Sequence, residues 1–133
     1  MLRCILAVLA GLVAAWLTVT LFEFASMHTF PPPPGIDVHD PAQLAQLIAG
    51  MPVAALGLVL AGWVIGALDG GLVARLIAKR RWPAIVVGVV VALGALLMVT
   101  TVPHPLWMAV AGVALPIPAA LFGAWLARSR KPA

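Results

Sequence analysis

One stretch, residues 52–81, limits most strongly what this chain can fold into. It opens with Pro52, which a helix tolerates at its start, stays apolar as far as Leu68, and ends in a cluster of lysine and arginine. An α-helix rises about 1.5 Å per residue, so the apolar part is long enough to cross the roughly 30 Å hydrocarbon core of a bilayer. The stretch is therefore predicted to be a transmembrane helix.

The composition extends this prediction to the whole chain. Of the 133 residues, 64% are hydrophobic and only 9% are charged. A soluble domain of this length leaves much of its surface in water and has no way to bury so large an apolar fraction. We therefore expect one domain, residues 1–133, with the lipid bilayer as its main partner.

Four apolar segments predict an all-α membrane bundle of four transmembrane helices. The predicted spans are residues 4–25, 52–77, 84–102 and 106–127, with an outer loop over residues 26–51. Trp82-Pro83 is predicted to form a tight turn before the third span. Pro116 and Pro118 are predicted to kink or locally unwind the fourth span, because proline has no N–H for the helical ladder.

The position of the cations predicts the topology. The basic residues lie only at the ends of the apolar segments: Arg3, Arg75, Lys79, Arg80, Arg81, Arg128, Arg130 and Lys131. Because cytoplasmic flanks carry the excess of lysine and arginine, both termini are expected in the cytoplasm. The same distribution argues against nucleic-acid binding, despite the net charge of +4.

The outer loop is predicted to contain a short helix. It has no lysine or arginine, and prolines 31–34 favour a polyproline II segment. Asp40 and Pro41 then have the residue types of a helix N-cap and first helical position, with Gln43 at the capping-box position. Apolar residues on one face of this helix indicate that it lies on the outer membrane surface.

Small residues recur every four positions in each predicted span. Such spacing lets helix backbones approach closely, as in a glycine zipper. The predicted packing residues are Ala7, Gly11, Ala15, Gly62, Gly66, Gly70, Ala74, Ala84, Gly88, Ala92, Ala119, Gly123 and Ala127. We expect these faces to join the helices and, where exposed, to contact a second copy or a larger membrane protein.

The second and fourth spans also align with each other. Pro52 matches Pro105, and Gly70 matches Gly123. Two hairpins related by an axis along the membrane normal would give this pattern, as in transporters built from parallel repeats. Selection of small residues by any tight bundle would give it equally, and the sequence leaves both explanations open.

Glu23 and Asp69 are the acids that fall inside spanning segments. A carboxylate in hydrocarbon is costly, so each is a candidate functional residue. Their positions place Glu23 near the outer interface and Asp69 near the inner one, too far apart for one site. Glu23 is either an interfacial anchor or a site residue. Asp69 is either functional or held by an ion pair or hydrogen bond, with Arg3 or Arg128 better placed than Arg75.

Further polar residues cluster on the predicted outer side: His28, Asp37, His39, Asp40 and His104. Histidines and carboxylates at one surface suit Zn²⁺ or Cu²⁺, or titrate near neutral pH. The spacing matches no recognised ligand motif, so His28, His39 and His104 are only weak metal candidates and no cofactor is expected. Anchoring of the loop by hydrogen bonds is the alternative role.

The chain resembles a family of small, uncharacterised four-helix bacterial inner-membrane proteins. The resemblance rests on Glu23, the loop Pro33-Pro34-Gly35-Ile36-Asp37, the Asp40-Pro41 entry to a short helix, the glycine-rich second span and the turn His104-Pro105-Leu106-Trp107. It covers nearly the whole chain. It implies a bacterial inner-membrane location and the same topology, and implies no activity.

Signatures of enzymes are absent from the sequence, which has neither a G-x-S-x-G elbow nor a glycine-rich phosphate loop before a lysine. The expected function is a non-enzymatic accessory or structural membrane protein. The alternative is a small oligomeric proton- or metal-linked transporter, with Glu23 and the outer histidines at its mouth and Asp69 near its exit. A metal-dependent membrane enzyme is a third, less favoured class.

Overall fold

The structure, a computed structural model, describes residues 1–37, 39–101 and 104–129. In these ranges the chain forms helices and no strand: α1 (Leu2–Thr29), α2 (Pro41–Gly50), α3 (Val53–Ala78), α4 (Trp82–Thr101), α5 (Leu106–Ala114) and α6 (Pro116–Ser129). The predicted end of the third span at residue 102 and the basic residues Arg130 and Lys131 lie outside the described residues.

Four helical segments are long and apolar enough to cross a membrane. They are α1, α3, α4 and the combined α5–α6 segment, Leu106–Arg128. The all-α fold and the number of segments long and apolar enough to cross a membrane are therefore as the sequence predicts, and α2 lies where the short loop helix is expected.

Two helix boundaries differ from the prediction. α1 continues to Thr29, a turn beyond the predicted end, and its buried Ser26 hydroxyl donates to the Ala55 carbonyl of α3 at 3.2 Å. α4 begins at Trp82, so Trp82 and Pro83 are its first helical residues and not a separate turn. The helix accommodates Pro83 there because N–H groups in a first turn have no partner within the helix.

The fourth segment is interrupted at Leu115. This residue keeps right-handed helical dihedral angles, with φ −79° and ψ −30°. The N–H of Leu115 donates to the Ala111 carbonyl, and the N–H of Ala119 donates to the Leu115 carbonyl, so helical hydrogen bonds lie on both sides of the interruption. Pro116 and Pro118 therefore break the helical ladder without unwinding it further.

α3 is the central helix, in contact with α1, α4, α5 and α6. Its glycines allow this. A Cβ on Gly66 would lie 2.9 Å from the Ala15 carbonyl oxygen of α1, and a Cβ on Gly71 would overlap the Ala120 carbonyl oxygen of α6. The opposite faces of α3 therefore pack backbone against backbone on two different helices.

Every small residue that the sequence analysis assigns to helix packing is buried inside this one chain. Six of them lie so close to a neighbouring helix that a Cβ would need that neighbour to move: Gly11, Gly62, Gly66, Gly70, Gly88 and Gly123. These faces are thus covered by the chain's own helices. A second copy or a partner protein would have to contact a different surface.

Long helices that follow each other along the chain run antiparallel, which gives the bundle two chemically different ends. At the basic end, Arg3 Nε of α1 donates to the Ile77 carbonyl of α3 at 2.5 Å, and the cations of residues 75–81 and Arg128 lie here. The loop end holds α2 and His104. There Ile48 of α2 packs with Leu56, Trp63 and Met108 in a buried cluster.

Candidate functional site

A groove runs between α1 and α4 in the half of the bundle nearer the loop end. At the level of Gly11 the two helices are close, since a Cβ there would lie 2.9 Å from Val87 of α4. Around Gly94, further along α4, a Cβ would meet nothing within 4 Å. The space left open, which we call the lateral groove, has a volume of about 480 Å³.

The lateral groove is almost wholly apolar. Its lining comprises Leu12, Ala15, Trp16, Val19, Thr20, Glu23, Trp63, Val90, Val91, Gly94, Ala95 and Met98. Glu23 is the charged member of this set. A volume of this size lies in the range of small-molecule sites, which are mostly apolar with a few polar groups that orient the ligand.

A second cavity, of about 200 Å³, lies under α2 at the loop end. Ser26, Ile48, His104 and Met108 are among its lining residues. Glu23, Trp63 and Met98 line both this loop-end cavity and the lateral groove. The half-buried Glu23 side chain therefore stands at the junction of the two spaces.

His104 shares the loop-end cavity with Glu23. Its ring lies 6.2 Å from the Trp63 ring, tilted by 55°. The sequence places Glu23 and His104 on the same side of the membrane, and the folded chain brings both to one cavity. A carboxyl group and an imidazole therefore line one space that is otherwise mainly apolar.

The other polar residues of the loop end have local structural contacts. The His28 ring stacks on Phe24 of the same helix, with the ring centroids 6.2 Å apart. Asp37 Oδ1 accepts the His39 N–H at 2.9 Å, and Asp40 Oδ1 accepts the Ala42 N–H at 3.1 Å as the N-cap of α2.

Metal binding gains no support from this arrangement. Over the described parts of the chain, no three His, Cys, Asp or Glu side chains come together in a group able to hold a metal ion. His28, His39 and His104 are therefore not assembled into one site, although all three belong to the loop end.

Asp69 is held by a hydrogen bond from a threonine, and not by Arg3 or Arg128, the cations expected from the sequence. Its Oδ2 accepts a hydrogen bond from Thr18 Oγ1 of α1 at 2.9 Å, and the same hydroxyl lies 3.0 Å from the Ala14 carbonyl oxygen. Thr18 is eleven residues from the end of α1, which places this pair well inside the bundle. Asp69 thus joins α1 to α3 and does not line the cavities that contain Glu23.

A signal for this contact was present in the sequence. Thr18 and Thr20 are hydroxyl residues inside an apolar span, where a hydroxyl commonly bonds across helices or to its own backbone. Periodicity gave no way to tell which facing residue would receive the bond. The lateral groove itself left no sequence signal beyond the position of Gly94.

Comparison of the chain with protein-family models, with curated proteins and with solved structures gives no match in any of the three. The functional assignment therefore depends on the geometry of the cavities and on the distribution of charge.

Proposed function

We propose that this chain is a non-enzymatic, multi-pass protein of a bacterial inner membrane that binds an amphipathic organic cation in the lateral groove. The observation that supports this function is the position of Glu23, a carboxyl group at the junction of two apolar cavities. The flanking arrangement of the basic residues and the resemblance to small inner-membrane proteins support the location, with both termini in the cytoplasm.

The chemistry of the lining selects the ligand class. Aliphatic side chains and the indoles of Trp16 and Trp63 favour a hydrophobic ligand body, which would enter sideways from the lipid. A carboxylate in such surroundings is costly without a counter-charge, so a ligand ammonium or phosphonium group offsets that cost. Indole faces attract the same cations. The carboxylate would repel an anionic ligand, and the apolar lining would disfavour a strongly polar one.

Proton-linked transport is a natural extension of this binding. One carboxyl group holds either a proton or the ligand's cation, and this competition is the elementary step of exchange. His104 in the same cavity provides a second proton-binding group. Four short helices enclose little volume, so a complete path across the membrane would require a second copy of the chain.

Tetraphenylphosphonium and tetraphenylborate provide a matched test, since they have nearly the same shape and opposite charge. Binding to the purified protein in lipid nanodiscs is followed by quenching of tryptophan fluorescence. We expect phosphonium to bind and borate to fail. Glu23→Gln should weaken phosphonium binding about tenfold, which corresponds to about 1.4 kcal/mol.

Asp37→Asn is the control, because Asp37 is an acid of the loop end that lines neither cavity. It should bind phosphonium like the unmodified chain. Equal binding of the two ions, or unchanged binding in Glu23→Gln, would contradict the proposal and favour the accessory or structural role.

A further inference from the structure

Three arginines from separate parts of the chain surround one cavity at the basic end. Arg75 lies in the last turn of α3, Arg81 lies between α3 and α4, and Arg128 lies in the last turn of α6. The cavity has a volume of about 220 Å³, and Leu121, Ala124 and Trp125 complete its described lining. We call it the arginine pocket.

The charge of the arginine pocket is not balanced by its own lining. Among the described residues around it, none is acidic. Asp69, the acid on the same helix as Arg75, is bonded to Thr18 of α1, whereas the pocket lies between α3 and α6. The remaining acids, Glu23, Asp37 and Asp40, belong to the loop end. Three guanidinium groups around one space repel each other, and an external anion would relieve this repulsion.

We propose that the arginine pocket binds the phosphate headgroup of an anionic phospholipid. Guanidinium groups present planar pairs of N–H donors that match phosphate oxygens, so arginine suits this anion better than lysine does. Basic pockets between transmembrane helices, on the side that carries the positive flanks, are recognised sites for anionic lipid headgroups.

The apolar wall of the pocket favours a lipid over free phosphate. Trp125 and Leu121, which line it, are 57% and 39% exposed on the outer face of α6. Phe122 is 51% exposed beside them, and its ring stacks on that of Trp125 at 5.7 Å. An acyl chain attached to a bound headgroup would therefore lie along this face. A free phosphate ion has no apolar part that could pack against this face.

The neighbouring cations allow a test with a matched control. Arg80 is exposed and directly precedes Arg81, but it does not line the pocket. Arg81→Gln and Arg80→Gln thus remove the same charge from adjacent positions, and Arg128→Gln removes a second pocket cation. Arg81, Arg80 and Arg128 are all exposed, so these variants should fold.

Binding is measured on the purified full chain in detergent, by native mass spectrometry and by the shift in thermal unfolding temperature. The probes are phosphatidylglycerol, phosphatidylcholine and inorganic phosphate. We expect phosphatidylglycerol to bind and to raise the unfolding temperature of the unmodified chain and of Arg80→Gln. Its affinity should fall about fivefold in Arg81→Gln and in Arg128→Gln, the effect of about one surface charge.

Three outcomes would overturn the proposal. Equal losses of phosphatidylglycerol affinity in Arg80→Gln and Arg81→Gln would show that net charge, and not the pocket, attracts the lipid. If inorganic phosphate raised the unfolding temperature as much as phosphatidylglycerol does, the pocket would be a site for free phosphate and not for a lipid. Binding of phosphatidylcholine as tight as that of phosphatidylglycerol would exclude selection for an anionic headgroup.

Discussion

Gly11 of α1 and Gly70 of α3 face each other so closely that a Cβ built on either would lie 2.6 Å from the carbonyl oxygen of the other. Such contact is available only when both residues lack a side chain. Gly70→Ala should therefore separate α1 from α3 and destabilise the bundle by about 2 kcal/mol, as overpacking commonly does. Reversible unfolding in detergent measures the change.

Gly57→Ala provides the comparison for this prediction, since a Cβ at Gly57 on the same helix meets nothing within 4 Å. Its free energy of unfolding should stay within about 0.5 kcal/mol of the unmodified value. A similar loss of unfolding free energy in Gly57→Ala and Gly70→Ala would mean that the close contact at Gly70 is not the cause of the destabilisation.

The hydrogen bond between Thr18 and Asp69 should couple the two helices energetically. Interhelical hydrogen bonds in membranes contribute about 0.6 kcal/mol on average, and up to about 1.7 kcal/mol. We expect Thr18→Val to destabilise the chain by about 1 kcal/mol, and to cost almost nothing when Asp69 is already leucine. A double-mutant cycle in detergent measures this coupling. Strict additivity of the two substitutions would contradict it.

Filling the lateral groove should abolish ligand binding while the fold is kept. Gly94 lines the groove and has open space above it, so Gly94→Leu places a side chain where the ligand body is proposed to lie. We expect phosphonium binding to fall at least about tenfold with little change in stability. Gly57→Leu adds the same side chain at an open position outside the groove, and should leave binding intact.

Lys79 caps α3 with a positive φ of 59°, a conformation that is costly for residues with a side chain. Lys79→Gly should therefore stabilise the protein by about 1 kcal/mol. Arg80→Gly removes the same charge at a neighbouring residue with negative φ. This substitution should not stabilise the protein. If both variants gained the same stability, the cause would be relief of charge repulsion and not relief of backbone strain.

The proposed orientation is testable with single cysteines in a Cys4→Ser background. Pro33→Cys should react with a membrane-impermeant maleimide in intact cells, because the proline segment is assigned to the outer side. Arg80→Cys should react only after the membrane is opened, because the positive flanks are assigned to the cytoplasm. Labelling of both positions from the same side would reject the topology.

Much of the architecture was accessible from the sequence because it depends on local patterns. Apolar length predicted the four helical segments that are long enough to cross a membrane, and Asp40-Pro41 predicted the start of α2. Helix boundaries were harder to predict from the sequence where tertiary contacts extend a helix. α1 gains its last turn alongside the hydrogen bond from Ser26 to Ala55, a residue that is distant in sequence.

The sites were less predictable because they depend on which helices become neighbours. Spacing shows that Gly70 lies on a small-residue face, but not that this face meets Gly11. In the same way, Arg75, Arg81 and Arg128 were recognisable as flanking cations. Only the packing of α3 on α6 brings them around one pocket.

The central position of α3 has a consequence for how the protein assembles during synthesis. α3 is the second long helix to leave the ribosome, so its pairing with α1 needs no later segment of the chain. The hairpin of α1 and α3 would then serve as a template on which α4 and the C-terminal helices dock in turn. A chain truncated after Arg81 and released should already hold the Gly11–Gly70 contact, and faults in α6 should therefore spare the earliest step of biogenesis.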